Sequence, residues 1–262
     1  MGIKRVKFWQ NERLVFYAEK ANPSYWDNHW KNQISRSYYE NYENGCLDEL
    51  APYIRKYLKI EDKILEAGCG PAKFVVSLLS LGYENVEGID TGQGTIDQVK
   101  SIFPDLPIGV GDVLQINKPD NYYDAYISVG VVEHRAEGPE PFFHEARRVL
   151  NTGGYAFISV PYVNPLRMLK KHLGYYHKPV PGGSIFYQYA FQKSEFAKLL
   201  EENGFKILDH IGFAGMFALR EELPRLFYLL DRLPGGYRLI RFLKDKPLVD
   251  YFGHMILFVC KK

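Results

Sequence analysis

The stretch Ile64-Leu65-Glu66-Ala67-Gly68-Cys69-Gly70 decides how this chain reads, because Asp90 follows it about 20 residues later. An apolar strand ends in a glycine turn, a helix begins, and a carboxylate stands at the tip of the next strand. That layout is how an open α/β sheet holds an adenosine-containing cofactor. Gly68 and Gly70 let the backbone approach a ligand without a Cβ clash, and the Asp90 carboxylate accepts hydrogen bonds from ribose hydroxyls. Three further features point away from a nicotinamide dinucleotide. Glu66 stands where dinucleotide folds usually carry an apolar residue, and its carboxylate can orient the turn amides or a bound ammonium group. Lys73 stands where G-x-G-x-x-G needs the third glycine that permits close helix–strand packing beneath a pyrophosphate. Gly111-Asp112-Val113-Leu114 follows a short strand at 108–110. An aspartate before an apolar residue suits an adenine: the carboxylate takes the exocyclic amine and the next backbone N–H reaches a ring nitrogen.

Outward from this turn, the hydrophobic pattern predicts a doubly wound α/β array. Strands fall at 63–67, 86–89, 123–129 and 155–160, and helices at 72–81, 94–103 and 141–150. Upstream, alternation at Val6, Phe8, Leu14 and Phe16 predicts a strand or hairpin within 1–20, and a helix over 48–57 feeds the first core strand. Downstream, 162–191 holds Pro165, Pro179, Pro181, Gly182 and Gly183 among many aromatics and reads as a long loop or lid. A helix over 193–203, with Ser194 as N-cap and Gly204 past its end, precedes strands at 205–212 and 254–260. Between those strands lies a helical insertion at 217–246. Its leucines follow helical spacing, with Arg220, Arg225, Arg232, Arg238 and Arg241 nearby. Such a basic amphipathic helix either packs on the domain or lies on a membrane, or roofs a lipid-like substrate.

The ordered segments Leu65–Gly70, Gly88-Ile89-Asp90, Gly111-Asp112-Val113, Tyr123-Asp124-Ala125-Tyr126-Ile127-Ser128-Val129-Gly130-Val131-Val132-Glu133-His134 and Arg147-Arg148-Val149-Leu150-Asn151-Thr152-Gly153-Gly154-Tyr155 resemble the class I S-adenosylmethionine-dependent methyltransferases. Within that class they are most similar to the small-molecule group, methyltransferase type 11, that includes ubiquinone- and menaquinone-pathway enzymes. The likeness covers 63–161. It implies a Rossmann-like seven-stranded sheet with an antiparallel last strand, and S-adenosyl-L-methionine as cofactor with S-adenosyl-L-homocysteine as product. Glu66, Gly68, Cys69 and Gly70 would lie at the methionine part, Asp90 and Thr91 at the ribose, and Asp112 with Val113 at the adenine. The segment from Val129 to His134 would face the methionine part and the methyl group. The chain then divides as one domain over 1–262: an N-terminal cap at 1–58, the cofactor core at 59–161, a lid at 162–192, and a C-terminal part at 193–262 carrying an insertion at 213–247.

Composition agrees with a single catalytic domain. A chain of 262 residues can bury a large core in one α/β domain. The formal net charge of +2 shows no basic excess that would call for nucleic acid. Cys46, Cys69 and Cys260 are too scattered for a disulfide framework or a zinc site, and no metal site is expected. No secretion signal or bilayer-length apolar run is visible, so the expected compartment is the cytoplasm.

Chemistry beyond the cofactor rests on fewer residues. His134 is the candidate general base, since imidazole titrates near neutral pH; alternatively Glu133-His134 caps a turn and fixes its loop. His177 is a second candidate within the lid, or a solvated loop histidine. Trp26 and Trp30 lie four apart on one helical face, where they can shield a sulfonium by cation–π attraction or pack onto the sheet. Arg36 can reach the cofactor's carboxylate or face solvent. Tyr162, Tyr187 and Tyr189, with Phe186 and Phe191, can form an apolar acceptor pocket or belong to the core. The expected activity is methyl transfer to oxygen, nitrogen or carbon of a small, partly apolar metabolite. A catalytically idle S-adenosylmethionine-binding module is the alternative; Lys73 and the Gly-Asp-Val motif argue against a nicotinamide-dependent oxidoreductase.

Overall fold

The computed structural model describes residues 6–18, 22–177, 180, 182–233, 235–236 and 248–262. The chain opens with a hairpin, β1 (Val6–Gln10) and β2 (Arg13–Ala18). Its turn residues Asn11 and Glu12 have φ of 48° and 63°, the doubly positive geometry whose twist matches the flanking strands. Helix α1 (Pro23–Trp30) starts on a proline, with the Asn22 side chain accepting from the Tyr25 amide. Helix α2 (Ala51–Tyr57) then leads to the main sheet.

Strand and helix alternate through the core: β3 (Lys63–Ala67), α3 (Lys73–Ser80), β4 (Asn85–Asp90), α4 (Gln93–Ile102), β5 (Ile108–Val110), β6 (Tyr123–Val129), α5 (Glu140–Val149) and β7 (Leu150–Pro161). After them come α6 (Pro165–His172), β8 (Ile185–Ala190), α7 (Lys193–Glu202), β9 (Lys206–Phe213), α8 (Gly215–Glu222), α9 (Pro224–Arg232), α10 (Leu248–Phe252) and β10 (Met255–Lys261). The seven-stranded sheet runs β5-β4-β3-β6-β7-β10-β9, and β10 is antiparallel to both neighbours. Consecutive residues of β3 serve opposite layers. Ile64 joins the cluster under α2, α3 and α4, with Ile54, Val75 and Val99. Leu65 joins the cluster under α5 and α7, with Phe143 and Phe196. A strand covered on both faces needs apolar residues at both parities, which is why 64 and 65 read as a continuous run.

The segment 162–191 is not the long loop its prolines suggested. Pro165 occupies the first position of α6, where a missing N–H is no loss, and Asn164 caps that helix through the Arg167 amide. Strand β8 then pairs with β2, giving a second, three-stranded sheet in the order β1-β2-β8. Pro179 and Pro181 lie outside the described residues, as do residues 1–5 and 19–20 of the expected hairpin region. At α7 the cap position is Gln192, and Ser194 lies inside the first turn. The insertion after β9 is helical in α8 and α9, while Arg238 and Arg241 lie outside the described residues.

A buried ion network joins the two sheets. The Glu222 side chain is fully buried and receives Lys7 Nζ (2.6 Å), Arg167 Nε (3.0 Å), Lys170 Nζ (2.7 Å) and the Tyr176 hydroxyl (2.8 Å). Arg167, also fully buried, donates in addition to Glu221, to the Tyr162 carbonyl and to His254 Nδ1. Strand β1, α6, α8 and the entry to β10 are thereby tied at one point.

Candidate functional site

The turn after β3 is built by hydrogen bonds that leave little freedom. The Gly68 and Cys69 amides both donate to the Ile89 carbonyl, at 2.8 and 2.9 Å. Gly68 has φ of +74°, and a Cβ there would meet Val131 at 2.5 Å. Gly70 has φ of +50°, with its missing Cβ facing the Trp30 indole at 3.1 Å. Glu66 is buried at the end of β3, and its Oε2 accepts from the Val75 amide of α3 at 3.0 Å. Burial pushes this carboxyl up to about 8, although the Val75 amide and the Lys73 charge pull the other way. Asp90 accepts from the Gly70 amide through Oδ2 (2.8 Å) and from the Gly92 amide through Oδ1 (2.9 Å). One carboxylate therefore ties the β3 and β4 turns together. Asp112 Oδ1 accepts from the Leu114 amide at 2.8 Å and shapes the third turn.

Helix α1 closes the site from above. Asp27 Oδ1 accepts from both the amide and the hydroxyl of Thr95, at 2.8 and 3.0 Å, so α1 caps the N-terminus of α4. Gly92 and Gly94 make room: a Cβ at either would come within 2.7 and 3.0 Å of Asp27. This dock holds Trp30 over Gly70 and the Trp26 ring 4.9 Å from His134, edge to face.

The result is a cavity of about 370 Å³ at the carboxyl ends of the parallel strands, the place where open α/β sheets bind ligands. Its walls contain Glu66, Gly68, Cys69, Gly70, Asp90 and Thr91, and also Asp112, Val113, Val129, Trp26, Trp30 and His134. The volume falls within the range of small-molecule pockets. Tyr38, Lys73 and Phe142 line it as well, and sequence reasoning assigned none of them a place. Among the described residues, Lys73 is the only lysine or arginine in the wall, and it pairs with Asp48 at 2.6 Å. Positive-φ glycines, three strand-end carboxylates and an aromatic cover fit an adenosyl sulfonium better than a pyrophosphate, which would meet carboxylates on its charged groups.

Five expected residues lie elsewhere. Arg36 pairs with Glu43 at 2.5 Å and lies over the Phe103 ring, away from the cavity. Tyr162 packs on the core beside β7, and its carbonyl accepts from Arg167. Tyr189 donates to the Ala136 carbonyl at 2.7 Å. His177 is exposed beyond α6. Tyr187 is buried behind His134, its hydroxyl 3.2 Å from that of Tyr25. None of the three lid tyrosines lines this cavity; Tyr187 and Tyr189 lie on β8, which pairs with β2 in the small sheet.

His134 ends a short 3₁₀ turn over Val132–His134. Its Nδ1 lies 2.8 Å from the Tyr187 carbonyl oxygen, which can only accept, so the neutral ring carries its proton on Nδ1 and its lone pair on Nε2. Nε2 stands 3.9 Å from Glu133 Oε1. Glu133 is buried, and its Oε2 has no hydrogen-bond partner among the described residues. Burial pushes its carboxyl up to about 8. In the window from the ordinary value of 4.5 up to about 8, the folded chain keeps a proton that the unfolded chain has lost. Stability is then full in acid and falls as pH rises through that window. Glu133→Gln has the same shape without the charge. It is expected to match the parent near pH 5 and to exceed it by about 2–3 kcal/mol near pH 8. Denaturant titrations at the two pH values check this, and an equal difference at both would refute it.

Residues 65–158 match the family described as a methyltransferase domain. Among curated proteins, the chain is 27% identical over 173 residues to the eEF1A lysine and N-terminal methyltransferase of Mus musculus, covering 61% of this chain and 24% of that protein. It is 28% identical over 153 residues to a probable S-adenosylmethionine-dependent methyltransferase of Mycolicibacterium smegmatis, covering 57% and 54%. The chain thus spans a quarter to a half of these relatives. The solved S-adenosylmethionine-dependent methyltransferase of Mesorhizobium loti superposes with a TM-score of 0.53 at 16% identity, covering 84% of this chain and all of that one, a likeness of fold.

Proposed function

This chain belongs to the class I S-adenosylmethionine-dependent methyltransferases, and on that premise we propose that its cavity binds S-adenosylmethionine and methylates oxygen, nitrogen or carbon of a small, partly apolar molecule. When bound, the cofactor supplies a methyl group on a positively charged sulfur that leaves as a neutral thioether. The chain's own residues then have two tasks, orientation and exclusion of water, which together can account for about 7–11 kcal/mol of barrier lowering. Glu66, Gly68, Cys69 and Gly70 would hold the methionine part, Asp90 and Thr91 the ribose, and Asp112 with Val113 the adenine. Trp26 and Trp30 would shield the sulfonium. The observation that supports this reading is the meeting of three strand-end carboxylates and two positive-φ glycines in one aromatic-roofed cavity.

His134 would take the proton of an acceptor that retains one, through Nε2, while the Tyr187 carbonyl holds the tautomer. His134→Ala is expected to lower kcat about a hundredfold and to leave donor affinity unchanged, with loss of the acidic limb of the pH–rate profile. An unchanged kcat on the true acceptor would confine His134 to fixing its loop. The broader test is incubation with methyl-labelled donor and a fractionated cell extract. Label in the small-molecule fraction supports the proposal, and donor binding without transfer to any fraction favours an idle module. A second reading, a protein amine as acceptor, draws on the mouse relative named as a lysine and N-terminal methyltransferase; label in the protein fraction would favour it.

A further inference from the structure

Twelve large apolar side chains stand exposed among the described residues, and all but Ile60, Val110 and Ile185 belong to α6, α8, α9, α10 or the residues just after α6 and α9. These helices form one layer: α10 packs against α6 and α8, and α8 against α9. Helix α9 buries none of its residues. Leu226, Leu229 and Leu233 follow one another at three and four positions, so they form a single stripe, and they are 42%, 58% and 50% exposed. A helix that packs on its own domain hides such a stripe; this one presents it.

The exposed charge on α8 and α9 is predominantly basic. Among the described residues of α8 and α9, Arg220, Arg225 and Arg232 are exposed, and Asp231 is the one exposed acid. Glu221 and Glu222 of α8 are turned inward and engaged by Lys7, Arg167 and Lys170. The layer also has a defined place. Strand β10 is antiparallel to β7 and β9, so α6 after β7 and α8 after β9 leave the sheet at the edge that carries the cavity.

We infer that this helical layer docks on an anionic phospholipid surface, with the leucine stripe entering the headgroup boundary and the three arginines facing lipid phosphates. Apolar area combined with basic charge is what such a surface binds.

The test is co-sedimentation of the intact chain with vesicles of phosphatidylcholine alone or mixed with phosphatidylglycerol. The chain is expected to pellet with the anionic vesicles, to remain in the supernatant with phosphatidylcholine alone, and to be released by added salt. Arg225→Gln and Arg232→Gln should each weaken binding about fivefold, and Leu229→Glu combined with Leu233→Glu should abolish it. All four positions are exposed, so donor affinity by calorimetry should stay at the parent value and report that the variants are folded. Failure to pellet with either vesicle, or pelleting that survives the paired leucine change, overturns the inference. So does a dimer in sedimentation velocity that the paired change dissolves, since the face then belongs to a second copy.

Discussion

Asp90→Ala is expected to weaken S-adenosylmethionine binding about a hundredfold or more in titration calorimetry. A carboxylate offers about four lone-pair directions, and the Gly70 and Gly92 amides use two of them. The other two are what a ribose diol would take, and a hydrogen bond to a charged group contributes about 1.5–3 kcal/mol. Losing two such bonds corresponds to about 3 kcal/mol at the least. The variant also leaves the two turn amides without their acceptor, so the glycine turn loses its anchor to β4. Asp90→Asn separates these effects, because it keeps one carbonyl oxygen for an amide while removing the charge; it should fall between the parent and Asp90→Ala. Parent-like affinity in Asp90→Ala would place the ribose elsewhere and remove the basis for reading the β4 tip as its site.

The parts of this site that could be read in the sequence are those where the backbone's task admits few residue types. Gly68 sits at φ of +74° against Val131, and no side chain fits that geometry; a carboxylate at the tip of β4 has one evident use in a doubly wound sheet. Ala72 shows the limit of such reading, since it too lies in the left-handed region, at φ of +55°, with no glycine to announce it. Asp27 carries no local signature at all. It becomes a helix cap only through a contact 68 positions away, at Thr95, and it is what seats the two tryptophans that periodicity had placed on one face. The segment 162–191 hides its structure from the sequence for the same reason. Pro165 marks a break or a start depending on the residue before it, and the strand at Ile185–Ala190 exists because Val15 and its neighbours pair with it from the far end of the chain. Position alone suggests Arg36 for a cofactor carboxylate, yet Glu43 and the Phe103 ring hold its guanidinium. Lys73, read only as a missing glycine, turned out to be the lysine of the cavity wall.

Glu222→Gln is expected to destabilise the fold by about 3–5 kcal/mol at neutral pH, the larger of the two effects argued here. Three cations, Lys7, Arg167 and Lys170, converge on Glu221 and Glu222 where almost no water reaches. With Glu222 neutral, Glu221 faces Lys7 and Arg167, Lys170 loses its carboxylate partner, and the amide also turns a donor toward donors. Burial by itself would raise the Glu222 carboxyl, but the charges of Lys7 and Arg167 outweigh it and hold the group well below the ordinary carboxylate value. A depressed folded-state value means that this stabilisation is complete above the ordinary value of 4.5 and is lost as pH falls below it. The gap between parent and Glu222→Gln, read from denaturant midpoints, should therefore narrow steadily on acidification; the Glu133→Gln gap also closes towards acid but has the opposite sign, the variant there being the more stable. Adding Lys170→Met to Glu222→Gln removes one of the stranded cations and should recover part of the loss. A pH-independent gap, or a double variant less stable than Glu222→Gln alone, would show that this cluster holds the two sheets together by packing and not by charge.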